Sequence, residues 1–155
     1  MDNKEKLNWL VNIFPGLLER LQPTDSGKWG KLNAIQMVEH LCASLRQASG
    51  KEVKVLLTPA EHLERLRAFM LSEKPFKENT KNSEMPEDPI PAINLSMQEA
   101  ISELKMELKD FIAYYQLNPQ QKLMNPFFGE LDFDEWIHLL HKHAMHHARQ
   151  FALID

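Results

Sequence analysis

The chain has 155 residues, 43% of them hydrophobic and 26% charged, which suits one globular domain with a single core and leaves out a disordered or fibrous chain. Its formal net charge of −4 comes without a basic block, so nucleic acid is not expected as a partner. Cys42 is the one cysteine, which excludes an intramolecular disulfide, and no apolar run approaches the roughly 18 residues that span a bilayer.

The N-terminal stretch MDNKEKLNWLV lacks the apolar core and small-residue cleavage site of a signal peptide. With a single thiol, this points to the cytoplasm and to no membrane partner. The first helical stripe covers roughly residues 4–21, through Leu7, Leu10, Val11, Phe14, Leu17, Leu18 and Leu21. Pro15 interrupts it, so a kink or two short helices are expected. The turn-rich PTDSGKWG (residues 23–30) ends the segment.

The second helix opens on Asn33 with Gln36 three residues later, a capping-box spacing, and Gly50 suits its C-terminal stop. Met37, Leu41, Leu45 and Ala48 form its inward stripe. His40, Gln36 and Ser44 share the edge of that stripe at i, i±4 spacing. A third helix is expected over about residues 59–71, with Thr58 as N-cap, Pro59 at the first position and Glu61 completing a capping box. Its stripe of Ala60, Leu63, Leu66 and Met70 is thin, so it should be peripheral. Residues 53–57 (VKVLL) are the one β-like run.

Residues 72–95 carry Pro75, Pro86, Pro89 and Pro91 and read as a long loop, either a cover over a site or a surface crossover. A fourth helix starts at Ser96 with Glu99 as reciprocal cap partner. Its stripe runs Met97, Ile101, Leu104, Leu108, Phe111, Ile112, Tyr115, and Asn118-Pro119 ends it. In the linker at residues 120–131, Phe127 and Phe128 are too apolar for water, so the linker should fold back onto the core. The last helix begins at Asp132 with Glu135 at N3 and extends to about Leu153. The whole is one all-α domain over residues 1–155, a four-helix bundle with long connections.

Five of the seven histidines fall in the stretch WIHLLHKHAMHHARQF (residues 136–151). His143 and His147, at i and i+4, share the face that holds Trp136, Leu140, Gln150 and Phe151. Two imidazoles at this spacing can grip one divalent metal, as in H-E-x-x-H helices, although that motif's glutamate is missing. The best third ligand is His40. His62 lies on the thin third helix, and His138 and His141 point to other sides. His146 is one residue off the inward line, either beside the ligands or exposed. Gln36, Ser44, Trp136 and Gln150 are the other candidates to line or support the site. Three imidazoles with one open position suit a catalytic divalent ion, and the donor type admits zinc, nickel, copper or iron. The competing reading is a histidine pair on a solvated face, which spacing alone does not separate. Cys42 reads as a small buried hydrophobe.

Three blocks, WGKLNAIQMVEHL, NPFFGELDFDEW and KHAMHHARQF, resemble the DinB/YfiT-like superfamily of metalloenzymes, within a subfamily of unknown function. The resemblance covers nearly the whole chain. It implies a four-helix bundle in an up-down-down-up arrangement, with zinc or nickel held by three histidines at positions matching His40, His143 and His147. It also implies a bacterial protein, a homodimer, and a small-molecule or low-molecular-weight thiol substrate, as in thiol-dependent S-transferases, or a hydrolase-type activity. The alternative is a non-catalytic metal-binding or interaction module of the same fold.

Overall fold

The computed structural model describes all of residues 1–155. It is predominantly helical, and its one sheet has two strands. The N-terminal stripe forms a single helical path in three parts: α1 (Asn3–Asn8), a π-helical turn (Trp9–Ile13) and α2 (Phe14–Leu18). In the wide turn the Phe14 N–H reaches back to Trp9 O. A regular α-helix would drive the Pro15 ring into the preceding turn. The π turn lets the chain pass Pro15 without breaking.

α3 (Ala34–Ala48) is capped by Asn33 and Gln36 in a reciprocal box. It ends at Gly50, whose φ of +79° is open to glycine, with the Lys51 N–H closing on Arg46 O and the Gly50 N–H on Gln47 O. α4 (Ala60–Leu71) starts one residue later than the sequence suggests. Pro59 itself holds the cap position, and no side chain caps the helix. Thr58 is drawn elsewhere: its hydroxyl donates to Phe127 O at 2.8 Å, while the Leu57 and Thr58 N–H groups donate to Pro126 O. Met70 is the one fully buried residue of α4, so the helix is peripheral.

The strand reading needs correction. Residues 53–57 form no strand, and Val53, Val55 and Leu57 are exposed. The hairpin forms instead in the second linker, as β1 (Leu123–Asn125) and β2 (Gly129–Leu131), with Leu123 opposite Leu131 and Asn125 opposite Gly129. The reason is local turn chemistry. Asn125 Oδ1 accepts from the Phe127 and Phe128 N–H groups, and Gly129 takes φ +82°. Phe128 is buried by this fold-back.

α5 (Met97–Leu117) is capped by the Ser96 hydroxyl, but Glu99 accepts from the Leu95 N–H rather than from Ser96. α6 (Phe133–Gln150) carries the full Asp132–Glu135 capping box. It stops at Gln150, before the expected Leu153, because Ala152 turns to φ +57° and the Leu153 N–H closes on Ala148 O at 2.8 Å.

Thirty buried hydrophobic residues make one core. α3 packs on α5, α6 packs on both α1 and α3, and α4 lies on the outside of α6. Phe14, Met37, Leu104, Phe111 and Trp136 are almost wholly enclosed within it. No helix is long and apolar enough to cross a membrane. Residues 72–95 form no helix or strand but are tied down. Gln36 Nε2 donates to Ile90 O, and the Glu39 carboxylate accepts from the Ile93 and Asn94 N–H groups and from Asn94 Nδ2.

Asp132→Ala removes the side-chain half of the box that starts the histidine-bearing helix. The expected loss is about 1 kcal/mol of unfolding free energy, read as a lower urea midpoint at unchanged slope.

Candidate metal centre

The packing of α6 on α3 brings together residues a hundred positions apart in the chain. His40 comes from α3, and His143 and His147 come from α6. His40 Nε2 lies 3.0 Å from His143 Nε2, and His147 Nε2 lies 3.0 Å from the same atom. One ligand atom from each of the three rings falls within 4.8 Å of the others. His147 is buried, while His40 and His143 are partly buried.

The orientation of His147 is fixed by Gln150. The Gln150 Nε2 donates to Trp29 O at 2.9 Å, and a carbonyl can only accept, so the amide oxygen must face the other way. That oxygen lies 2.6 Å from His147 Nδ1, which therefore carries the proton. The His147 Nε2 is left as a lone pair facing the cluster. Ser44 stands beside His143 at longer range: its hydroxyl lies 3.3 Å from His40 O and 3.4 Å from His143 Nδ1.

Burial, followed by the charges of neighbouring histidines, lowers His40 to about 4 and His147 to about 3, and pushes His143 well below the ordinary imidazole value. All three rings are neutral at physiological pH, which is the form that ligates metals. A divalent ion with metal–nitrogen bonds of about 2.0–2.1 Å and tetrahedral angles sets its nitrogens about 3.3 Å apart. Two of the spacings, at 3.0 Å, are close to that and the third lies within 4.8 Å, so the three residues could hold a metal.

The remaining sequence candidates fall out differently. Gln36 does not face the cluster: both ends of its amide are engaged, in the Asn33 box and on Ile90 O. Trp136 is buried in the core with its indole N–H unpartnered and makes no ring contact with the histidines. His146 is half-buried beside the ligands, its ring 5.2 Å from that of His147 and 5.4 Å from Trp29. His62 is exposed. His138 and His141 lie away from the cluster, on a side of α6 that is buried against α1, the π turn and residues 72–74. Cys42 is enclosed and its thiol is pushed up by burial and then by Glu103, so it stays protonated.

Two features escape the sequence reading. One is Phe76, whose ring lies 6.4 Å from that of His143 and 6.1 Å from that of His146, so that of the two readings of residues 72–95 the cover is the one its position favours. The other is the GKWG turn, which is moulded around Gln150. A Cβ at Gly27 would meet Gln150 Cγ at 2.6 Å, and Gly30 sits at φ +78° against Gln150 Nε2. Two glycines flanking a tryptophan were the available signal, but their target lies 120 residues away.

No family model, curated protein or solved structure matches this chain.

Gln150→Ala frees the His147 ring to rotate and to shift its proton. Zinc affinity should fall about 10- to 100-fold with helix content unchanged, as read by competition titration and circular dichroism. Chelator-treated protein should lose stability as pH falls. Between the unfolded histidine value of about 6.5 and the folded values near 4 and 3, the unfolded chain binds more protons. Stability is therefore full above about pH 6.5 and declines towards pH 4. A urea midpoint unchanged between about pH 7 and about pH 5 would contradict it.

Proposed function

We propose that this chain is a divalent-metal-dependent enzyme on a DinB/YfiT-like four-helix bundle. The bundle helices are the α1–α2 path, α3, α5 and α6, in the up-down-down-up order that the sequence resemblance implies, with α4 as an outer addition. The observation that carries the reading is the gathering of His40, His143 and His147, with one ligand atom from each within 4.8 Å of the others. Zinc or nickel is the ion we favour, since both take imidazole nitrogen readily.

When bound, the metal supplies Lewis acidity towards an oxygen or sulfur donor of the substrate. The residues around it do the rest. Gln150 holds the His147 ring in one tautomer and one orientation, and Ser44 stands beside His143. Phe76 and Trp29 form an aromatic wall against the site histidines, suited to an apolar part of a small substrate and to excluding water. His40 and His143 are less buried than His147, which suits an open coordination position on their side of the site.

The reaction we favour is thiol transfer to an electrophilic carbon. The new sulfur–carbon bond forms as the leaving group departs with its bonding pair, and the thiol proton passes to solvent. The chain cannot supply that thiol, because Cys42 is enclosed and held protonated. A low-molecular-weight thiol must come as co-substrate. Metal-assisted hydrolysis is the same site's second use, with water in place of the thiol.

Purified protein should carry about one divalent metal per chain by elemental analysis, and His143→Ala should lose most of it. A native protein free of metal sinks the reading. Chelator treatment separates enzyme from structural module. A catalytic ion in a preformed bundle leaves the melting temperature little changed while thiol transfer to a test electrophile stops. A structural ion takes much of the stability with it.

A further inference from the structure

On the α1 side of α6, away from the three ligand histidines, a cavity of about 130 Å³ opens between α1, α6 and residues 72–75. One water needs only about 10–15 Å³ measured the same way, so the cavity has room for a polyatomic ligand. Its lining reverses the charge of the chain. The net charge is −4, yet Lys6, Lys74, Lys142 and Arg149 line this cavity against the single carboxylate of Glu73. Glu73 is taken up by Lys6, at 3.1 Å. No carboxylate lies within ion-pair distance of Lys74, Lys142 or Arg149.

Lys142 makes the case sharpest. It is 7% exposed, and its ammonium is surrounded by neutral groups: the carbonyls of Phe69, Ser72 and Lys74, and the ring of Phe69 at 4.7 Å. These satisfy its hydrogens but not its charge. A buried cation with no counter-charge is costly. His141 is a further buried polar group of this wall. It lines the same cavity, is 9% exposed, and has its Nε2 buried without a hydrogen-bond partner. Lys142 thus spends all three of its hydrogens on fixing the wall and Lys6 two of its three, while Lys74 and Arg149 keep their side-chain donors unspent.

We propose that this cavity is a binding site for a phosphate-class oxyanion, either free phosphate or the phosphoryl group of a small phosphomonoester. A dianion supplies the charge that Lys142, Lys74 and Arg149 lack. A tetrahedral anion can also accept from several directions at once, and the donors here come from α1, the 72–75 segment and α6. A planar carboxylate presents only two oxygens. The site is separate from the three-histidine cluster and does not depend on a metal being bound there.

Calorimetric titration of the full chain, in a low-salt, phosphate-free buffer near neutral pH, tests this with inorganic phosphate, phenyl phosphate and acetate. Saturable phosphate binding at one site per chain is expected, with acetate at least about tenfold weaker. Binding of both phosphates assigns a phosphoryl group, and binding of inorganic phosphate alone assigns the free anion. Either supports the site. The double variant Lys74→Gln/Arg149→Gln changes the rim and should weaken phosphate at least about tenfold. Lys142→Met should abolish binding, but it also cuts three carbonyl contacts, so the rim variant decides if it fails to fold. Phosphate binding must survive both chelator treatment and His143→Ala. Loss under either would mean that phosphate sits on the histidine-bound metal, and the proposal falls. It falls equally if no saturable heat appears, if acetate binds as tightly as phosphate, or if the rim variant binds unchanged.

Discussion

The His143 Nε2 atom, 3.0 Å from the Nε2 atoms of both His40 and His147, is the contact on which the site depends. Helix α6 alone sets His143 and His147 on one face, but one turn of helix does not settle where their protons lie. The amide of Gln150 does, because its nitrogen end is spent on Trp29 O and its oxygen end is left for His147. The GKWG turn that offers this carbonyl packs so closely on Gln150 that glycine is needed at both ends. A backbone turn near the start of the chain therefore decides the tautomer of a ring near its end, and through it the availability of a ligand nitrogen.

The rest of the fold holds α3 and α6 at the distance this cluster requires. The core residues of α3 and α5 interlock on one side, and α1 with the π turn backs α6 on the other. The irregular segment at residues 72–95 is part of the same arrangement. Glu39, next to His40, fixes its far end through Ile93 and Asn94, and Lys142, next to His143, fixes its near end through Ser72 and Lys74. Phe76 is thereby held over the histidines by the immediate neighbours of two of them. Adjacent residues on a helix point about 100° apart, so one can ligate while the next braces the cover.

Much of this was legible in the sequence wherever the physics is local. The boxes at Asn33 and Asp132 and the stop at Gly50 depend on residues within one or two turns, and each forms as its spacing dictates. Helical phase also set His143 and His147 apart from His138 and His141. The errors arose where a distant group outbid a local preference. Thr58 left its capping role for Phe127 O, and residues 53–57 found no partner strand. The hairpin at NPFFG was missed because its strands are only three residues long, although the Asn and Gly of the turn were there to be read.

The sequence by itself determined the helices, their buried stripes, and which two histidines of a crowded segment share a face, because periodicity and capping act over a few residues. Only the tertiary structure decided that His40 completes the cluster in space, that Gln150 rather than Gln36 fixes a ligand ring, and that Phe76 closes over it. It also gathered Lys6, Lys74, Lys142 and Arg149 around one cavity in a chain whose charge is negative overall. Distances between side chains on different helices follow from how those helices pack, and no spacing along the chain encodes them.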